Sequence, residues 1–381
     1  MTLTPDEETK RALNHFNLIR MIAAVAVLVS HSHVLATGRD DAEPLRAGLG
    51  LSLGSVAVDV FFVCSGFLVT GSLLRQPSLA AFARARALRI YPALLAVVAL
   101  MVLTGGAFFS RLPLATFVST SSTWTFVAKN AWMLFGFYPR LPGVFELNPY
   151  ASTVNGSLWS LPYEIRFYLL LGVLGWLSHR WLPRLDRHRR IRWAAAGLAL
   201  VALAVIVCLD GRWENLPPVP RFLWMFFAGA TAWTLKLNRY AIRWPLLGLL
   251  ALIASIASGL GVNLVYALAV PVIVLSLAHG TNRRLAAYNR IGDYSYGTYL
   301  LAFPIQQALM ASFPALTPAG LTAAALPCTI LGAVVLWHGV ESPALRWKLH
   351  WKQPGPVPQR PPGLLAPRDQ LAQDLTVDPV A

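Results

Sequence analysis

Residues 16–37 read FNLIRMIAAVAVLVSHSHVLAT. The run is long and apolar enough to cross a bilayer as a helix, yet it carries Arg20 and His31. Ionisable groups inside a span are costly and mark candidate functional positions. Arg20 and His31 are eleven residues apart, which on a helix is about 20° modulo a turn, with a rise of about 16 Å. Both therefore share one face. His33 lies about 200° around from His31 and leaves that face. Taken singly, each group also has a plain reading. Arg20 reaches toward the nearer membrane surface, and His31 is a hydrogen-bonded core histidine.

Working outward, nine further apolar stretches of similar length follow, at about 53–74, 91–109, 157–177, 193–209, 219–235, 244–260, 263–279, 294–312 and 321–339. Charged residues make up 13% of the 381-residue chain, against about 25% in a soluble domain. A large soluble globule and intrinsic disorder are both disfavoured. The predicted fold class is an all-α integral membrane protein of about ten transmembrane helices with both termini cytoplasmic. Residues 1–15 form a cytoplasmic segment and 16–347 a membrane-embedded domain. Residues 348–381 form a Pro-rich cytoplasmic tail expected to be disordered. No cleavable signal peptide is evident.

The net charge is +15, which on its own points to nucleic acid. Its distribution points elsewhere. With alternating loops, 23 of the 32 Lys and Arg residues fall on the cytoplasmic side, seven outside, and Arg20 and Arg166 within spans. That asymmetry is the positive-inside pattern. It accounts for the charge through membrane topology and leaves no call for a nucleic-acid partner. The three cysteines lie apart in apolar runs, so neither a disulfide framework nor a cysteine metal site is indicated. Walker-type and H-E-x-x-H signatures are missing from the sequence, and no metal is expected.

Two more spans carry buried ionisable candidates. Asp59 lies in SVAVDVFFVCSGFLVTGSLL and Glu164 in NGSLWSLPYEIRFYLLL. Each sits about two turns from the outer end of its helix, a depth similar to that of His31. A histidine beside a carboxylate suits general-base catalysis; hydrogen bonding between helices is the structural alternative. Arg166 lies about 200° from Glu164 and is expected to pack elsewhere. Before the third span, FARARALRIYPALL places Arg86 and Arg89 as i, i+3 neighbours. Arginines at a membrane mouth bind phosphate, although topology and lipid headgroups also account for them.

These segments resemble the acyltransferase-3 family of integral-membrane O-acyltransferases, which modify bacterial polysaccharides, lipopolysaccharide, Nod factors and macrolides. The likeness runs from about residue 13 to about 347. It comprises Arg20-x10-His31, the hydrophobic pairs before Ser65-Gly66-Phe67, Arg86-x-x-Arg89, SLWSL with Glu164, IGDYSYGTYLLAFPIQ and VESPALRW. Many members carry a histidine in the ninth helix; here Ala302 stands near that place. It looks like a stand-alone member, without the SGNH-type domain some relatives append.

The resemblance implies transfer of an acyl group, most often acetyl, from cytoplasmic acyl-CoA to a carbohydrate or lipid-linked glycan hydroxyl at the inner or plasma membrane. It suggests that Arg20, Arg86 and Arg89 hold the donor. His31 then takes the acceptor proton or carries the acyl group, and Glu164 orients His31 or the acceptor. Asp59 completes the candidate catalytic set on depth alone. Two other classes fit a polytopic chain with buried charges. One is a glycan transporter or flippase without acyl transfer, and the other is a sensor or scaffold indifferent to loss of His31.

Overall fold

The computed structural model describes residues 14–46, 50–76, 78–181, 183–209, 216–237, 244–259, 261–280 and 282–350. Most of the expected N-terminal segment and nearly all of the Pro-rich tail lie outside the described residues. The chain divides into one compact unit, Met1–Leu345, and a second, Arg346–Ala381, described only through His350.

Helix follows helix, as the apolar runs predict. The first long elements are α1 (Phe16–Thr37), α2 (Leu53–Arg75) and α3 (Leu79–Thr104), which runs on through a π turn at Gly105–Phe109. Two short helices, α4 (Leu114–Ser119) and α5 (Ser121–Trp132), occupy the long polar connection. A 3-10 turn, Ser157–Ser160, leads into α6 (Leu161–Trp181). Next come α7 (Arg187–Cys208), α8 (Pro218–Thr234), α9 (Pro245–Ser258), α10 (Val262–Ala278) and α11 (Arg283–Ala286). The series closes with α12 (Ser295–Ser312), α13 (Pro318–Leu336), a π turn at Trp337–Glu341, and α14 (Ser342–His350).

The ends are set by side chains. Ser52, Ser78, Asp186 and Thr317 accept a backbone N–H in the first turn of α2, α3, α7 and α13, each satisfying a donor that the helix leaves open. Proline opens α8, α9 and α13, where its missing N–H costs nothing.

Each of the ten apolar stretches falls on a helix. Among the described residues, five helices are long and apolar enough to cross a membrane: α1, α2, α3 with its π turn, α7, and α13 continued to Trp347. Helices α8, α9 and α10 have 17, 14 and 17 residues. Leu103, Leu200, Leu246, Leu331 and Val335 are well exposed, a side-chain surface suited to lipid.

Helices α1, α2, α8, α12 and α13 form the packed centre, with α2 against α8, α1 against both α2 and α12, and α12 against α13. The α2–α8 crossing is the tightest. A Cβ on Gly66 would fall 1.8 Å from the Phe226 carbonyl oxygen, and one on Gly229 would fall 2.3 Å from that of Val63. Only glycine permits such an approach, as small residues do between membrane helices. The crossing buries Phe62, stacked on Phe222 at 4.3 Å between ring centres.

Candidate active site

The arginines come together as the spacing predicts, but around two carboxylates. Arg89 on α3 donates to Glu341 Oε2 at 2.7 Å and to Asp293 Oδ2 at 2.5 Å. Arg20 on α1 donates to the same Asp293 oxygen at 2.5 Å. The other Asp293 oxygen accepts the Ser295 hydroxyl at 2.5 Å, at the start of α12. Burial alone would push the Asp293 carboxyl up; Arg20, Arg89 and Ser295 outweigh it and hold the group at about 2. Two arginines thus face two carboxylates. Arg86 differs. Its guanidinium donates to Ser72 Oγ at 3.3 Å and stands 6.0 Å from the Tyr168 ring, and among the described residues no carboxylate pairs with it. The carboxylate in the same cavity is Glu164, which acts on Arg86 without pairing with it.

These groups line the first of three cavities that follow one another through the helical core. The arginine cavity, about 410 Å³, is bounded by Arg20, Arg86, Arg89, Glu164, Tyr168 and Tyr296. The middle cavity, about 420 Å³, shares Arg20, Ser65, Glu164 and Tyr296 with it. The histidine cavity, about 790 Å³, shares Val58 and Tyr299 with the middle one and adds His31, Asp40, Glu43, Tyr150 and Trp159. Glu164 sits in the first turn of α6 and accepts from Ser65 Oγ at 2.7 Å and from the Tyr168 hydroxyl. It therefore borders the first two cavities.

His31 borders the third. Its Nδ1 lies 3.4 Å from Ser157 Oγ, and its ring meets Phe303 edge-on at 5.1 Å. The surroundings explain this placement. The amide of Asn155 donates to the Leu300 carbonyl at 2.9 Å, and its oxygen accepts the Ser157 N–H at 3.1 Å. The Tyr299 hydroxyl donates to the Ser157 carbonyl and lies 2.7 Å from Ser160 Oγ. On the helix side, Gln306 donates to Ser32 Oγ at 2.6 Å and to the Leu28 carbonyl at 2.8 Å. Gln307 holds the Tyr150 and Thr153 carbonyls at 2.8 and 2.6 Å. So α12 fixes both α1 and the loop that carries Ser157. His33 is absent from the cavity lining, as its helical angle predicts.

The expected carboxylates are distributed differently from the depth argument. Among the described residues Glu164 makes no hydrogen bond to His31, and Ser157 occupies that place. Asp59 is fully buried, 3.3 Å from Arg221 Nε, and accepts the Tyr266 hydroxyl at 3.0 Å. That cluster ties α2 to α8 and α10, and Asp59 lines none of the three cavities. Arg166 turns away from Glu164, donating to the Leu134 carbonyl at 2.8 Å over the Tyr163 ring.

The residues that sequence reasoning left without a role are Asp293, Glu341, Ser157 and Tyr299. The first two stand in IGDYSYG and VESPALRW. Acidic groups at the edges of apolar runs opposite an excess of arginine were the available signal.

The comparisons agree with this architecture. A family model described as an acyltransferase domain matches residues 13–338. The O-acetyl transferase of Shigella phage Sf6 is 29% identical over 304 residues, covering 78% of this chain and 86% of that protein. Nodulation protein 10 of Rhizobium leguminosarum bv. viciae is 28% identical over 376 residues, covering 90% of this chain and 95% of that protein. The Staphylococcus aureus O-acetyltransferase OatA is 32% identical over 141 residues, 35% of this chain and 22% of its own length. No solved structure matches. A match from residue 13 to residue 338 spans the three cavities and the helices that build them, and the chain belongs to the acyltransferase-3 family.

Proposed function

We propose that this protein is an O-acyltransferase of the inner membrane that moves an acetyl group from acetyl-CoA to a hydroxyl of a carbohydrate or lipid-linked glycan. The succession of three cavities from Arg86 to His31 carries the reading. The donor is anionic at its nucleotide end and enters at the arginine cavity, which is the cytoplasmic end under the positive-inside assignment. Arg86 meets its phosphates. Arg20 and Arg89, paired with Asp293 and Glu341, shape the cavity wall. Glu164 offers a hydrogen-bond acceptor along the donor's arm. The histidine cavity, with Tyr150 and Trp159 beside Asp40 and Glu43, presents aromatic faces and acceptors to a sugar.

A hydroxyl is a weak nucleophile and needs a base within hydrogen-bond reach. With Ser157 Oγ accepting from Nδ1–H, His31 Nε2 is free to take the acceptor proton. The acceptor oxygen attacks the thioester carbonyl, the C–S bond breaks, and the proton passes through His31 to the departing thiolate. If His31 instead carries the acyl group, the same cavity order serves two steps. The test uses membrane vesicles supplied with labelled acetyl-CoA and an acceptor glycan. Label is expected on the glycan with the native protein and not with His31→Ala at equal protein level. Glycan movement across vesicles without donor consumption would overturn the reading in favour of a transporter.

A further inference from the structure

Resting on the acyl-transfer reading, we infer that Phe61 determines how long an acyl chain the protein accepts. The middle cavity is the only link between the arginine and histidine cavities among those described. Val58 and Tyr299 belong to both the middle and histidine cavities, so the passage runs between them. Phe61 stands one helical turn from Val58 on α2, on the middle-cavity side. Its ring meets Tyr299 edge-on at 5.7 Å and lies 5.9 Å from the Arg20 guanidinium.

The remaining walls are fixed. Tyr299 is held by Ser160 and by the Ser157 carbonyl. Phe62 is buried and stacked on Phe222. Leu161 is buried beneath the start of α6. Phe61 is half-buried, packed against the hydrophobic core beside its contacts with Tyr299 and Arg20, so substitution removes its bulk from the wall without breaking a hydrogen bond. An acyl group presented from the arginine side has its apolar end against this ring when its carbonyl approaches the passage to His31. A two-carbon group fits short of the ring, and each added methylene meets it.

Apolar pockets discriminate one methylene by roughly 10–200-fold. Transfer from acetyl-, propionyl-, butyryl- and hexanoyl-CoA to one acceptor is measured in vesicles for the native protein, Phe61→Ala, Phe61→Leu and Val58→Ala. Phe108→Ala on the exposed face of the π turn serves as a control. The native protein is expected to lose activity steeply beyond the shortest donors. Phe61→Ala shifts the preference toward butyryl or hexanoyl by about 10-fold or more, Phe61→Leu shifts it less, and the control keeps the native profile. Val58→Ala, which trims the same wall one turn nearer the histidine cavity, shifts it the same way and carries the test if the Phe61 variants do not accumulate. Unchanged chain-length profiles in variants that still transfer acetyl would overturn the inference, as would native transfer of hexanoyl as fast as acetyl. Absence of transfer from every donor by the native protein would instead overturn the acyl-transfer reading.

Discussion

Arg20 and Asp293 are 273 positions apart in sequence and 2.5 Å apart in space. Their pairing joins the first helix to the turn before α12, and Arg89 binds the same carboxylate oxygen. Breaking a buried pair by removing one partner costs about 3–5 kcal/mol, because the other charge is left uncompensated. Asp293→Asn is therefore expected to lower both accumulation and activity, with Asp293→Glu restoring part of each. Quantitative immunoblotting of membranes beside transfer rates checks this, and full accumulation of Asp293→Asn would contradict it. Because the Asp293 carboxyl is held at about 2, its contribution is complete above its ordinary value near 3.8. That contribution is lost only as pH falls toward 2. Asp293 itself therefore adds no transition to the pH–stability curve between about pH 4 and neutrality.

Arg86 and Arg89 are expected to separate. Arg86→Ala removes a cation with no carboxylate partner, so the protein still inserts while the KM for acyl-CoA rises. A charge-assisted hydrogen bond is worth about 1.5–3 kcal/mol, or roughly 10–150-fold in KM. Arg89→Ala leaves Glu341, 2% exposed, without its cation and should lower accumulation as well. Equal behaviour of the two variants would remove the distinction.

His31→Ala should reduce transfer by about 10²–10⁴-fold as a lost general base, and further if the acyl group rests on the ring. His33→Ala should keep substantial activity. Ser157→Ala should lower kcat with little change in donor KM, because the hydroxyl acts on the ring's orientation. A dead His33 variant beside a live His31 variant, measured at equal protein level, would reverse the assignment.

Reporter fusions address the topology. A fusion at Gly38, just after α1, and one at Arg187, at the start of α7, are expected on opposite faces of the membrane, outside and inside. The expectation rests on the positive-residue asymmetry and on ten crossings. The same face for both would exclude that count.

The parts of the site legible in the sequence are those governed by helical geometry within one element. The shared face of Arg20 and His31, the divergence of His33, and the turning away of Arg166 from Glu164 all follow from about 100° per residue. What stayed hidden depends on which helices meet. Depth along a helix put Asp59 level with His31, but depth says nothing about azimuth, and Arg221 and Tyr266 claim Asp59 from α8 and α10. Asp293 and Glu341 stand more than 200 positions from Arg89, beyond any local pattern. Ser157 reaches His31 because a 3-10 turn and the amides of Asn155 and Gln307 shape its loop. Hydropathy located the helices of the ten apolar stretches, but not the short α4, α5 and α11, nor that α8, α9 and α10 have fewer residues than a full crossing of about 20.

The glycine crossing of α2 and α8 bears on handling the protein outside its membrane. At Gly66 and Gly229 the two backbones touch with no side chain between them. Such a contact rests on dispersion and on Cα–H to carbonyl contacts, and it has nothing to gain or lose when lipid is exchanged for another apolar medium. The outward leucines of α7, α9 and α13 have no such protection. Solubilisation in detergent should consequently loosen the periphery while the α2–α8 pair stays locked, so Ser65 and Phe61 on α2 keep their register in a micelle.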